Sequence, residues 1–251
     1  MKLENLSVQV NNDIYNTLGE RWYQADDDPV ALLRASAKHK IPWILARLRS
    51  HAPDRKCDVL DVGCGAGFVS NALVKAGHRI TGVDLSQESL DVACRHDTTR
   101  SVCYICADAA KLPFPDESFD AVTAMDFLEH VEDINPVFAE ISRVLKPGGK
   151  FFYHTFNRNP VAWLIAIKFV EWFVPNTPAH LHVLRLFLKP KEVALSCTKA
   201  GMNVVELRGV RPKSITAILR GIFTRRVPQD FDFKFSSSTL VSYAGIAEKK
   251  R

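Results

Sequence analysis

The stretch VLDVGCGAGF, Val59 to Phe68, constrains the fold more than any other in the chain. Gly63, Gly65 and Gly67 follow a short apolar run and open FVSNALVKAG, a helical pattern closed by Gly77. Glycines there let the backbone turn tightly and let a ligand lie against main-chain N–H groups. The next strand-like run, RITGVDLS, carries Asp84 at its end. A carboxylate at that place can accept both hydroxyls of a ribose. A lone glycine fingerprint is a weak signal, but this one comes with a preceding acid, Asp61, a βαβ unit and a terminal acid. The dinucleotide form is G-x-G-x-x-G, whereas D-x-G-x-G-x-G suits an adenosine-containing cofactor without a pyrophosphate. The loop then faces a zwitterionic amino-acid tail, and Asp61 can help hold its ammonium.

The same rhythm continues. CDVLDVG reads as a strand, QESLDVACRHD as a helix, VCYICADAAKLPF as a strand running into a loop, and SFDAVTAMDF as a strand. INPVFAEISRVLKPGG reads as a helix with a Pro-Gly-Gly stop, and KFFYHTFNR as a further strand. Strands alternating with helices imply right-handed crossovers and a mostly parallel sheet. Ahead of this core, residues 1–56 are expected to form a helical segment packing on it, interrupted at Pro42. Residues 57–251 form the main domain, with an insertion at 159–190 where the rhythm breaks. KPKEVALSCTKAGMNVVELRGVRP then resumes helix and strand, and TLVSYAGIAEK is the last strand.

With 47% hydrophobic and 24% charged residues, the composition is that of a folded globular chain. A net charge of +5 is too weak to argue for nucleic acid. The first residues, MKLENLSVQVNND, lack the apolar core of a signal peptide, and no apolar run approaches the roughly 18 residues of a spanning helix. The expectation is a cytoplasmic protein. Cys103 and Cys106 form a C-x-x-C, but no second pair stands at zinc spacing, and a thioredoxin-like pair would open a helix. They read, with Cys57, Cys64, Cys94 and Cys197, as scattered reduced thiols.

A second cluster is MDFLEHVED, Met125 to Asp133, just after the strand FDAVTAM. Ligands bind beyond the carboxyl ends of strands in an open α/β sheet, so this segment should flank the reacting group. Asp126, Glu129 and His130 would share one face if a helix has begun. Two carboxylates and an imidazole suit a hard divalent cation, or a general base acting on a phenol. Acids that complement a helix dipole are the bland alternative.

The residues Asp61 to Gly67, Asp84, ADAAKLPFPDESFDAV and LKPGG together resemble the class I S-adenosylmethionine-dependent methyltransferases. The resemblance implies a Rossmann-like α/β fold with a mostly parallel seven-stranded sheet and helices on both faces. It implies that Asp108 meets the adenine amino group, that the N–H of Ala109 meets the ring, and that Leu85 and Met125 join the cofactor site. The region from Thr155-Phe-Asn-Arg-Asn159 through an apolar helix, a loop bearing His180 and His182, and FLKPKEV resembles the O-methyltransferases of ubiquinone biosynthesis. That subfamily carries E-x-x-E-H after the fourth strand, binding a divalent metal near a catechol. Here the motif reads Asp126-Phe-Leu-Glu129-His130, with a carboxylate one methylene shorter at its head. The resemblance therefore implies a prenylated phenol as acceptor, magnesium or zinc at Asp126, Glu129 and His130, and catalytic roles for Glu129 and His130. His130 would be the base or a metal ligand, not both through one nitrogen. A different apolar acceptor, methylated at oxygen, nitrogen or carbon, is the alternative. A catalytically silent cofactor-binding subunit of a membrane complex is the non-enzyme alternative.

Two segments suggest an anionic membrane surface. VAWLIAIKFVEWFV, residues 161–174, is apolar but shorter than the roughly 20 residues of a spanning helix, and reads as a lid that also dips into a surface. Residues 207–229 interleave Arg208, Arg211, Lys213, Arg220, Arg225 and Arg226 with Ile215, Ile218, Leu219, Ile222 and Phe223, with no acid. Both have bland readings as a buried and a solvated helix. Contact at the inner membrane would be peripheral.

Overall fold

Five strands build the parallel half of one sheet: β1 (Asp58–Val62), β2 (Arg79–Asp84), β3 (Cys103–Cys106), β4 (Phe119–Met125) and β5 (Leu145–Phe156). The structure, a computed structural model, describes residues 9–53 and 55–251. The leader reading, and the start of the N-terminal helical segment at residues 1–8, lie outside them.

The sheet has eight strands, in the order β3-β2-β1-β4-β5-β8-β6-β7. β8 (Ser242–Lys249) runs antiparallel to β5, β6 (Met202–Pro212) antiparallel to β8, and β7 (Phe233–Ser236) antiparallel to β6. The edge strand β7 exceeds the expected seven. It is four residues long, too short to show an alternating pattern in sequence, and it pairs with β6 through Gly209 to Pro212. β4 is buried at every position, which is why it reads as a continuous apolar run rather than an alternation.

α3 (Phe68–Lys75) and α4 (Gln87–His96) follow β1 and β2, and α5 (Ile134–Val144) joins β4 to β5. Ser86 and Asp133 cap α4 and α5 through their side chains. α5 ends at Val144, and the Pro-Gly-Gly segment belongs to β5, whose register against β4 shifts between the Phe119–Leu145 and Ala121–Lys150 pairs. Two apolar layers, one about Phe138, Phe151 and Tyr153 and the other about Trp43, Ile44 and Phe152, sandwich the sheet.

The N-terminal segment forms a 3-10 turn at Asp13–Asn16, α1 (Arg21–Gln24) and α2 (Val30–His51). Pro42 sits inside α2 without breaking it. Trp43, Ile44 and Leu48 bury that helix against β1, α3 and β5, and this packing outweighs the lost hydrogen bond.

Beyond β5, α6 (Pro160–Ala162), a π-helical stretch (Trp163–Phe169) and α7 (Val170–Phe173) run on as one apolar helix. Its small side chains, Ala162 and Ala166, face inward with Ile167 onto Phe187, while Leu164, Ile165 and Trp172 face outward. α8 (Pro190–Lys199) and α9 (Ile215–Thr224) complete the chain. No helix among the described residues is long and apolar enough to cross a membrane.

Candidate active site

Strand order reverses between β1 and β4, and a cavity of about 500 Å³ opens beyond the carboxyl ends of the strands there. Of the residues expected to bind cofactor, Asp61, Gly63, Gly65, Asp84, Leu85, Asp108, Ala109 and Met125 line it. Gly67 does not; it caps α3 at φ +77°, where a Cβ would lie 2.3 Å from the Tyr104 hydroxyl. Gly63, at φ +65°, leaves room for Phe127, whose ring a Cβ would meet at 2.2 Å. These are steric requirements that only glycine meets.

Asp84 braces the loop. One carboxylate oxygen accepts the N–H of Gly65 at 2.8 Å and the other that of Ser86 at 3.0 Å. Burial pushes its carboxyl up, and the backbone donors oppose this. Leu85 beside it is 71% exposed and offers an apolar surface at the rim. Asp108 accepts the N–H of Ala110 at 2.8 Å.

Asp61 is placed differently from the expectation. It is buried and takes hydrogen bonds from the Ser70 hydroxyl and the Thr123 hydroxyl, both at 2.6 Å, and from the Ser70 N–H at 3.1 Å. Its carboxylate anchors the first turn of α3 to β4, which leaves less of it for an ammonium. Burial pushes its carboxyl up to about 6.

The segment after β4 does not form the helical face that i, i+3, i+4 spacing suggests. Asp126 has φ +55°, and only a 3-10 turn, Leu128–His130, follows. The left-handed residue, tolerated by Asp, turns the carboxylate toward α2 and β5. There it meets Lys40, which is fully buried, and the Nδ1 of His154. Burial would push the Asp126 carboxyl up, but Lys40 and then His154 outweigh it and hold it well below the usual range.

Glu129 and His130 meet a different partner, His182 of the loop after the apolar helix. One donor atom from each of these three lies within 4.8 Å of the others. Glu129 is fully buried; one oxygen accepts the Thr155 hydroxyl at 2.8 Å, and the other, Oε1, has no partner among the described residues. Burial, then the charge of Asp126, pushes its carboxyl well above the usual range. The Nδ1 of His130 lies 3.0 Å from Asn12 Oδ1 and its Nε2 lies 3.3 Å from the Tyr15 hydroxyl. The His182 ring packs against Phe156 and Phe187, with centroids 5.2 and 6.0 Å away. Burial lowers both imidazoles, His130 to about 3 and His182 to about 4. Both rings are thus neutral, as metal donors must be. An orphaned carboxylate oxygen beside two neutral imidazoles fits a divalent cation.

Lys40, His154, Asn12 and Tyr15 carry no motif. Lys40 could have been found as a lone cation on the apolar face of Ala37, Ile44 and Leu48, and His154 as a lone polar residue in FFYHTF. The six cysteines are free, and Cys103 and Cys106 are exposed on β3.

A family model described as a methyltransferase domain matches residues 60–153. The ubiquinone biosynthesis O-methyltransferase of Bordetella avium is 35% identical over 85% of this chain and 89% of its own length. The chain belongs to this family. The O-methyltransferase of the same name from Thiobacillus denitrificans is also 35% identical, over 82% of the chain and 88% of its own length. A methyltransferase from Thermotoga maritima superposes with a TM-score of 0.61 at 20% identity, covering 92% of this chain and 94% of its own. The magnesium protoporphyrin IX methyltransferase of Synechocystis PCC 6803, with bound SAH, superposes with a TM-score of 0.61 at 16% identity, covering 95% and 97%. These likenesses show the fold. The chain is an S-adenosylmethionine-dependent methyltransferase with a Rossmann-like α/β core.

Proposed function

We propose that the enzyme transfers the methyl group of S-adenosylmethionine to a hydroxyl of a prenylated phenol or catechol, a ubiquinone precursor. The observation that carries this reading is the two-sided cavity. The glycine loop, Asp84 and Asp108 stand on one side, and Met125, Asp126 and His130 on the other. The relatives' shared name supports the acceptor class.

The ribose meets Asp84, the adenine lies over Leu85 with its amino group toward Asp108 and its ring at the Ala109 N–H, and the amino-acid tail follows the turn at Gly63 and Gly65. The sulfonium is already activated, so the chain mainly places acceptor oxygen, methyl carbon and sulfur in line beside Met125. A phenol, with a pKa near 10, is a poor nucleophile until its proton is drawn off. His130 holds Nε2 as a lone-pair nitrogen because its Nδ1–H is given to Asn12. That lone pair would accept the acceptor's proton, or would be the donor atom His130 offers to a cation. Glu129, His130 and His182 would hold a divalent cation, which would supply Lewis acidity beside the acceptor. The apolar helix at 160–173 covers the prenyl tail.

The test is methyl transfer from labelled S-adenosylmethionine to a short-tailed prenyl catechol, with and without chelator. Transfer is expected in the wild type, and a loss of about 10²-fold in turnover in His130→Ala at unchanged cofactor affinity. No transfer to the catechol, despite tight cofactor binding, would sink the acceptor assignment. An undiminished rate in His130→Ala would remove His130 from the mechanism.

A second element of the reading is peripheral contact with a membrane surface, favoured by α9. Ile215, Leu219 and Phe223 stand on one strip, 72%, 60% and 91% exposed. The Val227 N–H donates to the Asp26 carbonyl at 2.6 Å and the Asn176 amide to the Asp27 carbonyl at 3.1 Å, so the ends of α9 and of the apolar helix meet the same loop. Acids outside the basic stretch answer several of its cations: Asp230 meets Arg220, Asp232 meets Lys213, and Asp26 meets Arg226. Apolar area, more than net charge, therefore drives the contact. The variant Leu219→Ser with Phe223→Ser should sediment with anionic vesicles at least about tenfold more weakly than wild type. Equal binding, or no binding by wild type, returns α9 to a solvated role.

A further inference from the structure

We propose that the cation of this enzyme is held by Glu129, His130 and His182, without Asp126, and that this donor set selects a zinc-class transition metal over magnesium. The inference rests on the proposed reaction only in placing the cation beside the methyl-transfer cavity.

The first argument is what has become of Asp126. Both its oxygens are engaged, one by the Lys40 ammonium and one by His154 Nδ1. An ammonium beside a carboxylate competes directly with a cation for it. Recruiting Asp126 would also leave the fully buried Lys40 without its counter-charge, a change costing several kcal/mol. The head of the D-x-x-E-H motif is thus spent on holding α2 to the sheet.

The second argument is what replaces it. Glu129 has one oxygen fixed by Thr155 and one orphaned in a fully buried position. A buried acceptor left unpaired is costly, and a cation is the partner that three converging donors can share. His130 and His182 lie with ring centroids 5.1 Å apart; His130 is oriented from behind through Nδ1 by Asn12, and His182 is held by packing against Phe156 and Phe187. Ligating histidines are held as His130 is, with the far N–H given to an oxygen acceptor so that the near nitrogen carries the lone pair. Bonds of about 2.0–2.2 Å require the three donors to close up slightly.

The third argument is chemical class. Magnesium takes six oxygens in a near-ideal octahedron and dehydrates reluctantly. Two imidazoles and one carboxylate, with positions left open, form the donor set of catalytic zinc sites and of non-haem iron. Such a metal would also join the loop of His182 to Glu129 and His130 of the core.

Cobalt(II) reports on this site without any acceptor. The full chain is titrated with Co²⁺, following its visible d–d absorption, in wild type, in His182→Ala, and in a Lys40→Met, Asp126→Asn double variant that strands neither charge. S-Adenosylmethionine affinity, measured in parallel, shows that each variant is folded. Wild type is expected to bind one equivalent, displaced by Zn²⁺ and not by a large excess of Mg²⁺. His182→Ala should bind at least about tenfold more weakly, and the double variant within about threefold of wild type. Loss of cobalt in the double variant with retention in His182→Ala would overturn the donor set. Displacement by Mg²⁺ would overturn the class, and no cobalt binding by wild type would overturn the site. Because no outcome depends on methyl transfer, a wrong acceptor and a wrong metal site give separate results.

Discussion

Asp84→Ala lowers affinity for S-adenosylmethionine by about 10³-fold while the chain stays folded. Asp84 stands at the end of β2, where each carboxylate oxygen accepts one backbone N–H, from Gly65 and from Ser86. Each oxygen keeps lone-pair capacity toward the cavity. Two ribose hydroxyls donating there make charge-assisted hydrogen bonds worth about 1.5–3 kcal/mol each, so losing both costs about 4 kcal/mol. That is about three orders of magnitude in affinity. Asp84→Asn keeps one acceptor oxygen and should fall between, near tenfold to a hundredfold. Titration calorimetry with S-adenosylmethionine and its demethylated product measures both, with unfolding curves run without ligand. The two contributions of Asp84 separate cleanly: bracing the loop affects the unliganded protein, whereas meeting ribose affects only the complex. Wild-type affinity in Asp84→Ala would take the ribose away from this residue.

The parts legible in the sequence are those where a local pattern and a tertiary role coincide. Gly63 and Gly67 are readable because their positive φ and the nearness of Phe127 and Tyr104 exclude any side chain, so the requirement shows as a residue type. Strands β1 and β4 are readable because burial on both faces leaves near-continuous apolar runs. The site's second half is less legible. Spacing suggested that Asp126, Glu129 and His130 share a helical face, but spacing carries no information about a left-handed residue at the start. At Asp126 the chain reverses, and the carboxylate goes to Lys40, 86 positions away in sequence. His182 joins Glu129 and His130 only because the loop after the apolar helix folds back over β5, with Phe156 and Phe187 packed about its ring. Sequence had narrowed the loop histidine to His180 or His182; His180, at φ +61°, is instead tied through its carbonyl to Asn11. Likewise Pro42 marks a break by local rules, yet α2 continues, since tertiary burial of Trp43 and Ile44 supplies what the proline removes. The charge reading of residues 207–229 missed acids that lie outside the stretch, in sequence but not in space.

Lys40→Ala destabilises the fold by about 3–5 kcal/mol. Lys40 is fully exposed in no direction: it projects from α2 into the end of the sheet with a relative exposure of 0%. Its ammonium faces Asp126 directly, and burial, then Lys40 itself, holds the His154 imidazole below its usual value. Removing Lys40 strands a carboxylate that must either stay charged without compensation or take up a proton, and both are costly. Restoring the balance from the other side tests this. In Lys40→Met with Asp126→Asn, an apolar chain of similar length fills the ammonium's path, and the Asn oxygen still accepts the His154 N–H. Buried pairs replaced together by uncharged groups are often neutral in stability. The double variant should therefore recover most of the loss, giving a coupling of about 2 kcal/mol or more in a double-mutant cycle by urea unfolding. If Lys40→Ala costs less than about 1 kcal/mol, the pair is not buried as drawn, and Asp126 is free to serve the cation after all. A large coupling, in contrast, explains why a motif that ends in Glu129-His130 begins with a residue that does not join them: the shorter Asp126 carboxylate reaches back to α2, and the site turns to His182 for its third donor.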